Sequence, residues 1–265
     1  MIRTLAFFLC LISTSAHSES MKLAVTTSFH NSGLSDVLLP ALLEETGLEV
    51  QLLVVGTGQA LRLGRAGDVD AILVHSRADE DTFVAEGFAP YRREIMYNDF
   101  VFIGPRSDPA GITKAAGIPE VLSHIFTSQA LFVSRGDDSG THKKERELWQ
   151  LAALDTEAFG AWYKAVGSGM GASLNIASAL NAYILTDRAS WLNFGNKSDL
   201  KLLFSGDAEL FNQYAYLPIN PDQHPHVNAD ASDILEKWLT SARAANLINA
   251  YKINGEALFV FNASK

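Results

Sequence analysis

The chain has 265 residues, enough for one large domain or two lobes of ordinary size. With 48% hydrophobic and 19% charged residues it has the composition of a globular protein and not of a disordered one. A net charge of -9 argues against nucleic acid and anionic membrane surfaces as partners, but not against a small anion, which responds to the donors beside it.

The first residues read as a signal for export. Met1-Ile2-Arg3 gives a positive start, Leu5 to Ile12 an apolar run, and Ala16-His17-Ser18 small residues suited to cleavage. Such a segment is too short to span a bilayer, so residues 1–18 are expected to be removed, leaving a periplasmic chain with no stable membrane insertion. Cys10, the one cysteine, falls inside this signal. Phe7, Phe8 and Leu9 precede it, where a lipoprotein signal wants small residues. The mature chain is therefore expected to carry neither disulfide nor cysteine-ligated metal.

Beyond the signal, short apolar strands alternate with helical stretches. Lys22 to Val25, Glu49 to Val55 and Val69 to Val74 read as strands, with helices at Ser35 to Glu45 and Gln59 to Arg65 between them. Phe100 to Ile103 is a further strand, followed by the turn residues Gly104-Pro105 and Ser107-Asp108-Pro109. A second series has a strand at Ala130 to Ser134, helices at Thr141 to Leu154 and Ser173 to Ile184, and strands at Leu200 to Phe204 and Tyr214 to Ile219. A last helix is expected from Asp230 to Ala250, its apolar residues recurring at three and four. The pattern predicts an α/β chain of two lobes, each a mostly parallel sheet flanked by helices, with a ligand cleft between them. Lobe I is expected to comprise residues 19–99 plus 216–265, and lobe II residues 100–215. The crossovers are expected near Asn98 to Pro105 and Tyr214 to Asn220. Trp149, Trp162, Trp191 and Trp238 lie in apolar settings and are expected in the core.

Three polar loops follow predicted strands and open predicted helices: Thr26-Thr27-Ser28-Phe29-His30-Asn31-Ser32-Gly33, Gly56-Thr57-Gly58, and Ser134-Arg135-Gly136-Asp137-Asp138-Ser139-Gly140-Thr141. Ligands of parallel sheets bind at the carboxyl ends of the strands. A helix start offers unsatisfied N–H donors and about half a positive charge. Each loop taken alone is an ordinary N-cap. The third is more, because a cap needs no arginine. Arg135 adds a permanent cation of fixed donor geometry, and Asp137 stands where it can hold the guanidinium. Three such loops meeting in a cleft make an anion cage. The glycine-rich Gly167-Ser168-Gly169-Met170-Gly171-Ala172-Ser173 is either a simple connection or a fourth helix start that adds donors. His30, His75 and His142 do not form a metal motif. Asp138 and His142 admit a hydrolase reading, but no nucleophile elbow or phosphate-binding loop accompanies them.

The chain resembles the substrate-binding proteins of tungstate ABC transporters, the TupA type, over essentially its whole mature length. The resemblance rests on Thr26-Thr27-Ser28 with Ser32-Gly33-Leu34, Val55 to Leu61, Leu73 to Arg77, Met96 to Phe100, Arg135 to His142 and Tyr183 to Arg188. It implies a two-lobe, type II-like periplasmic binding fold. It also implies oxyanion contacts from Thr27, Ser28, Thr57, Arg135, Ser139 and Thr141. From the loops themselves Gly140 is a further candidate contact, with Thr26, Gly58, Ser134, Asp137 and Ser173 in supporting places. Val25 departs from the family, which commonly has a threonine there. The Arg135 loop also resembles that of phosphate receptors, which use an aspartate after the third strand to accept the proton of hydrogen phosphate. Here Val74-His75-Ser76 supplies none. A cage of donors alone suits a fully deprotonated dianion and leaves phosphate's O–H unpaired, at a cost of ~1–3 kcal/mol. The expectation is a monomeric binding protein, not an enzyme, with no cofactor and tungstate as ligand, serving an ABC permease and its ATPase. Molybdate or phosphate receptors are the rivals of the same class, and an oxyanion-handling hydrolase or a ligand sensor those of another.

Overall fold

The computed structural model describes residues 19–263, so the expected signal and Cys10 lie outside the described residues. The chain opens with strand β1 (Ser20–Thr26), a short helix α1 (Thr27–Asn31) and α2 (Ser35–Thr46). Then come β2 (Glu49–Val55), α3 (Thr57–Ala66), β3 (Ala71–Val74) and α4 (Arg77–Ala85). The long β4 (Arg93–Pro105) leads to α5 (Ile118–Ser128), β5 (Phe132–Ser134), α6 (Gly140–Leu151), β6 (Tyr163–Ala165) and α7 (Met170–Leu180). The rest is β7 (Tyr183–Asp187), α8 (Arg188–Asn193), β8 (Leu200–Phe204), β9 (Phe211–Pro218), α9 (Ala229–Leu239), α10 (Ala242–Ala250), a small hairpin of β10 (Lys252–Ile253) and β11 (Glu256–Ala257), and β12 (Val260–Phe261).

These strands build two sheets joined through β4. In the first, β2, β1 and β3 run parallel, and β9 continues it antiparallel beside the first half of β4. In the second, β6, β5 and β7 run parallel, and β7 and β8 pair antiparallel with the second half of β4. The expectation of parallel sheets thus holds for the outer strands and gives way where β4 and β9 cross. Strand β4 changes sheet between Asp99, opposite Phe211, and Phe100, opposite Asp187. All of β9 pairs with the first sheet. The chain therefore returns before Phe211, upstream of the segment read from the sequence, and Phe211–Ala215 belong with the first sheet by pairing. Registers Thr26↔Val55 and Val25↔Leu73 bring the ends of β1, β2 and β3 level. Registers Ser134↔Ala165 and Val133↔Ile184 do the same for β5, β6 and β7. Each set of loops leaves its sheet at one edge.

Each sheet has apolar residues packed on both faces. Leu23, Val25, Leu38, Leu42, Tyr216 and Trp238 form one core of the first sheet, and Leu61, Ile72, Val74, Phe83 and Leu217 the other. Phe102, Phe132, Trp149 and Trp162 form one core of the second sheet, and Val101, Val133, Leu174, Ile184 and Trp191 the other. All four tryptophans are buried, as their apolar settings suggest.

Three readings change. The helix expected over Ser173 to Ile184 ends at Leu180. Asn181 takes a left-handed conformation (φ 52°) that stops it, and Tyr183 begins a strand. The long terminal helix is two, because the Ser241 hydroxyl accepts the Ala244 N–H at 3.2 Å and starts α10 anew. Helices α4, α5 and α8 are absent from the sequence reading. The α5 run Ile118, Val121, Leu122 and Ile125 carries helical spacing and is fully buried.

Candidate functional site

At the end of β1 the hydroxyl of Thr26 caps α1, accepting the Phe29 N–H at 3.3 Å. Thr27 and Ser28 follow as the first two residues of α1. Ser28 Oγ is the centre of a polar cluster: Thr26 Oγ1 lies at 3.0 Å, His75 Nε2 at 3.1 Å and Tyr214 OH at 3.1 Å. His75 is the first residue after β3. Its turn is fixed by Glu80, which accepts the Ser76 N–H at 2.7 Å and pairs with Arg92 at 2.8 Å. Burial, with Arg135 adding to it, pulls the His75 ring down to about 4, so it is neutral at physiological pH.

From the second sheet comes the loop after β5. Arg135 donates to Asp137 Oδ2 at 2.5 Å, and Asp137 Oδ1 accepts the Ser139 hydroxyl at 2.6 Å and its N–H at 3.3 Å. Ser139 in turn caps α6, accepting the His142 N–H at 3.3 Å. Burial opposes ionisation of Asp137, but Ser139 and Arg135 outweigh it and hold the carboxyl below its ordinary range. Gly136 sits at φ 61°, which L side chains rarely adopt, and this lets the loop turn back on itself. The Arg135 side chain is mostly buried, and its Nε has no partner within the protein.

The two halves enclose a cavity of about 610 Å³. Its wall includes Thr27, Ser28, Asn31 and Ser32 from one side and Arg135 and Gly169–Leu174 excluding Ser173 from the other, closed by Asp187, Ser190 and Asn193. The glycine-rich turn is thus a fourth helix start, with Gly169 capping α7 and the first residues of α7 lining the cavity. Of the expected residues, Thr27, Ser28 and Arg135 line the wall. Thr26 and Asp137 brace them, and Ser139 braces Asp137. Thr57 is buried at the first position of α3, and Thr141 is buried in the first turn of α6. These two, with Gly58, Ser134, Ser139 and Gly140, lie outside the cavity wall. Ser173 does too, its hydroxyl turned onto the carbonyls of Ser168 and Gly169, each at 3.1 Å. Gly140 instead packs on His75, where a Cβ would come within 2.8 Å of Cε1. Asp138 and His142, the residues of the hydrolase reading, pair locally, with the Asp138 N–H donating to His142 Nδ1 at 3.1 Å. Neither lines the cavity.

Asp187 is the residue that sequence reasoning missed. It ends β7 with 3% of its surface exposed, and its two oxygens accept the Ser190 N–H at 2.8 Å and the Ser190 hydroxyl at 2.7 Å. Burial raises its carboxyl above the ordinary range, against the pull of Ser190 and Arg135. The cage is therefore not made of donors alone, although Val74-His75-Ser76 does lack a carboxylate. The signal was present in Thr186-Asp187-Arg188-Ala189-Ser190, a strand end followed by an aspartate N-cap. The sequence hides it because the apolar residues of β7 continue those of α7 and extend the expected helix to Ile184.

Two sheets joined by crossing strands, with a polar cavity where their loops meet, define a two-lobed solute-binding architecture. The chain belongs to the PBP superfamily, whose domain profile matches residues 13–243. Among its relatives is the tungstate-binding protein TupA of Peptoclostridium acidaminophilum, 42% identical over 93% of this chain and 87% of that one. Among solved structures, the tungstate-binding protein TupA of Desulfovibrio alaskensis G20 superposes with a TM-score of 0.87 at 41% identity, covering 93% of this chain and 100% of that one. A tungstate ABC transporter structure from Geobacter sulfurreducens gives a TM-score of 0.80 at 46% identity, covering 88% of this chain and 99% of that one.

Proposed function

We propose that this chain is the periplasmic receptor of an ABC importer and captures a tetrahedral oxyanion, with tungstate as its ligand. The observation that carries the reading is the convergence on one cavity of a braced arginine, two hydroxyl residues at the start of α1 and the open N–H groups at the start of α7. The relatives' names supply the choice of tungstate. Two sheets with a cleft between them are read as two lobes, residues 19–99 with 211–263 and residues 100–210, hinged where β4 changes sheet.

Arg135 is read as the charge partner of the anion, and Thr27 and Ser28 as hydroxyl donors. Thr57, Ser139, Gly140 and Thr141 are read as joining the contacts when the lobes close. The reading makes the chain a binding protein and not an enzyme, exported through residues 1–18, with a permease and its ATPase as partners. Among the described residues no helix is long and apolar enough to cross a membrane. Molybdate has the same charge and shape and remains the rival ligand. Phosphate is the other rival, since each Asp187 oxygen keeps a free lone pair beside its bond to Ser190 and can accept an O–H.

Titration calorimetry of the mature protein against tungstate, molybdate, sulfate and phosphate tests this. Tungstate is expected to bind at least a hundredfold more tightly than phosphate, a difference of about 2.7 kcal/mol. Equal affinities for the two would overturn the reading.

A further inference from the structure

The Ser28 cluster carries an inference that rests on the oxyanion reading and deepens it. A serine hydroxyl has one proton to give and two lone pairs to receive. Which of these faces a ligand is decided by the neighbours of Oγ. Here they are Thr26 Oγ1 at 3.0 Å, His75 Nε2 at 3.1 Å and Tyr214 OH at 3.1 Å.

Tyr214 is fully buried, and its phenol keeps its proton because burial pushes its ionisation far up. That proton has Ser28 Oγ within reach, with Thr26 and Asn212 also close to the phenol. His75 is neutral, so it bears one ring proton. Its Nδ1 is buried with no hydrogen-bond partner, against the start of α6, where Gly140 packs on the ring. A proton on Nδ1 would have only the residue's own backbone carbonyl and the Asn212 side chain near the ring, neither in good hydrogen-bond geometry with it, and would be a poorly met buried donor. A proton on Nε2 is met by Ser28. The charged and titratable groups around this pair are Arg135 facing His75 and Asp187 facing Tyr214, and Asn212 touches both. Arg135 disfavours a second proton on the ring, which preserves the neutral form.

We propose that His75 and Tyr214 are positioning residues that fill both lone pairs of the Ser28 oxygen, so that Ser28 can only donate to a bound oxyanion. In the empty cavity the remaining proton rests on Thr26 Oγ1. A dianion draws it away, because a charge-assisted bond is stronger than one between neutral hydroxyls. Ser28 thereby accepts nothing from a ligand. An anion bearing an O–H finds no acceptor in Ser28, and a fully deprotonated tetrahedral anion is favoured at this point of the wall.

Two measurements test this. The first is a double-mutant cycle on tungstate affinity with Ser28→Ala, Tyr214→Phe and the pair. Each single change is expected to weaken tungstate binding about tenfold, in the range of one hydrogen bond. The pair is expected to match Ser28→Ala within about twofold, because Tyr214 acts through Ser28. Losses that multiply toward a hundredfold, or a Ser28→Ala protein that binds as the parent does, overturn the inference. The second is long-range 1H–15N NMR of the imidazoles in the unmutated protein, with His75 assigned by its loss in His75→Gln. Nε2 protonation supports the inference and Nδ1 protonation overturns it, with no change made at Ser28 or Tyr214. A parent that binds neither tungstate nor molybdate overturns the oxyanion reading itself. That failure shows in the first titration, separate from the cycle and the tautomer.

Discussion

Arg135 differs from every other residue of the cavity wall in carrying a full positive charge. A dianion taken out of water needs such a partner, and hydroxyls and N–H groups orient oxygens without supplying one. Replacing Arg135 with Ala should therefore weaken tungstate binding by ~2–5 kcal/mol, against roughly 0.5–1.5 for Thr27→Ala. Lys at 135 should restore only part, because an ammonium cannot reproduce the planar fork that also engages Asp137. Calorimetry on variants whose circular dichroism matches the parent would decide it, and an Arg135→Ala protein within about threefold of the parent would remove Arg135 from the site. Glu145 offers a second test, on stability. It is 3% exposed, and it accepts from Tyr163 at 2.7 Å and from Trp149 at 3.2 Å. Burial pushes it from 4.5 up to about 7. The folded protein holds this proton more tightly than the unfolded chain. The stability from Glu145 is therefore complete below pH 4.5 and lost as pH rises to about 7. Glu145→Gln keeps an acceptor oxygen and removes the charge. Its melting temperature relative to the parent should climb with pH across this window, gaining roughly 5 °C by pH 8. A pH-independent difference between the two melting curves would show that Glu145 does not titrate there. At this scale the sequence showed Thr27, Ser28 and Arg135 through their loops. It could not show His75 and Tyr214 beside Ser28, because those contacts span 47 and 186 residues of chain.

At the scale of elements, the β-α alternation was legible because apolar runs end in Gly, Pro and Ser/Thr. The errors fell where that punctuation is weak. Between Ala179 and Leu185 only Asn181 interrupts an apolar stretch, so helix α7 and strand β7 read as one. The price of that error was Asp187 and the whole wall of α8. The mixed pairing at the crossing was also beyond reach, since nothing local in Arg93–Pro105 says which half belongs to which sheet. Strand β4 carries its own test at Gly104. A Cβ there would meet Tyr183 Cδ1 at 2.5 Å and Leu203 Cδ1 at 2.7 Å. The Tyr183 ring cannot easily move aside, because its hydroxyl donates to Asp108 at 2.8 Å and accepts the Ala110 N–H at 2.9 Å. Gly104→Ala should therefore lower stability by ~1–3 kcal/mol, read as a lower denaturant midpoint at unchanged slope. An unshifted midpoint would mean that the second sheet yields more easily than its packing suggests.

For the molecule as a whole, the question is what holds the two sheets' halves together around the cavity. Several contacts cross between them besides β4. Lys143 of α6 reaches Asp79 of α4 at 3.0 Å, Asn254 donates to the Leu192 carbonyl at 3.1 Å, and Arg188 forks onto Asp99 at 2.6 and 2.7 Å. The Lys143–Asp79 pair is about a third exposed and contributes little, in the range of 0–1 kcal/mol. The steric contact of Gly140 with His75 is more demanding. It is a fit that tolerates no side chain at 140, and it joins the start of α6 to the ring that touches Ser28. Gly140→Ala leaves the Thr27, Ser28 and Arg135 side chains unaltered in kind and retains the N–H at 140, while pressing on the ring that touches Ser28. What it should impair is closure. The lobes would still meet the anion at the parent's rate, but the closed form would be strained by ~1–2 kcal/mol, so dissociation should quicken by about tenfold. Stopped-flow kinetics with tungstate should place the change in the off-rate, and small-angle scattering of the loaded variant should give a larger radius than the loaded parent. An unchanged off-rate with parent-like scattering would mean that the lobes close by a path on which the α6 start never presses on His75.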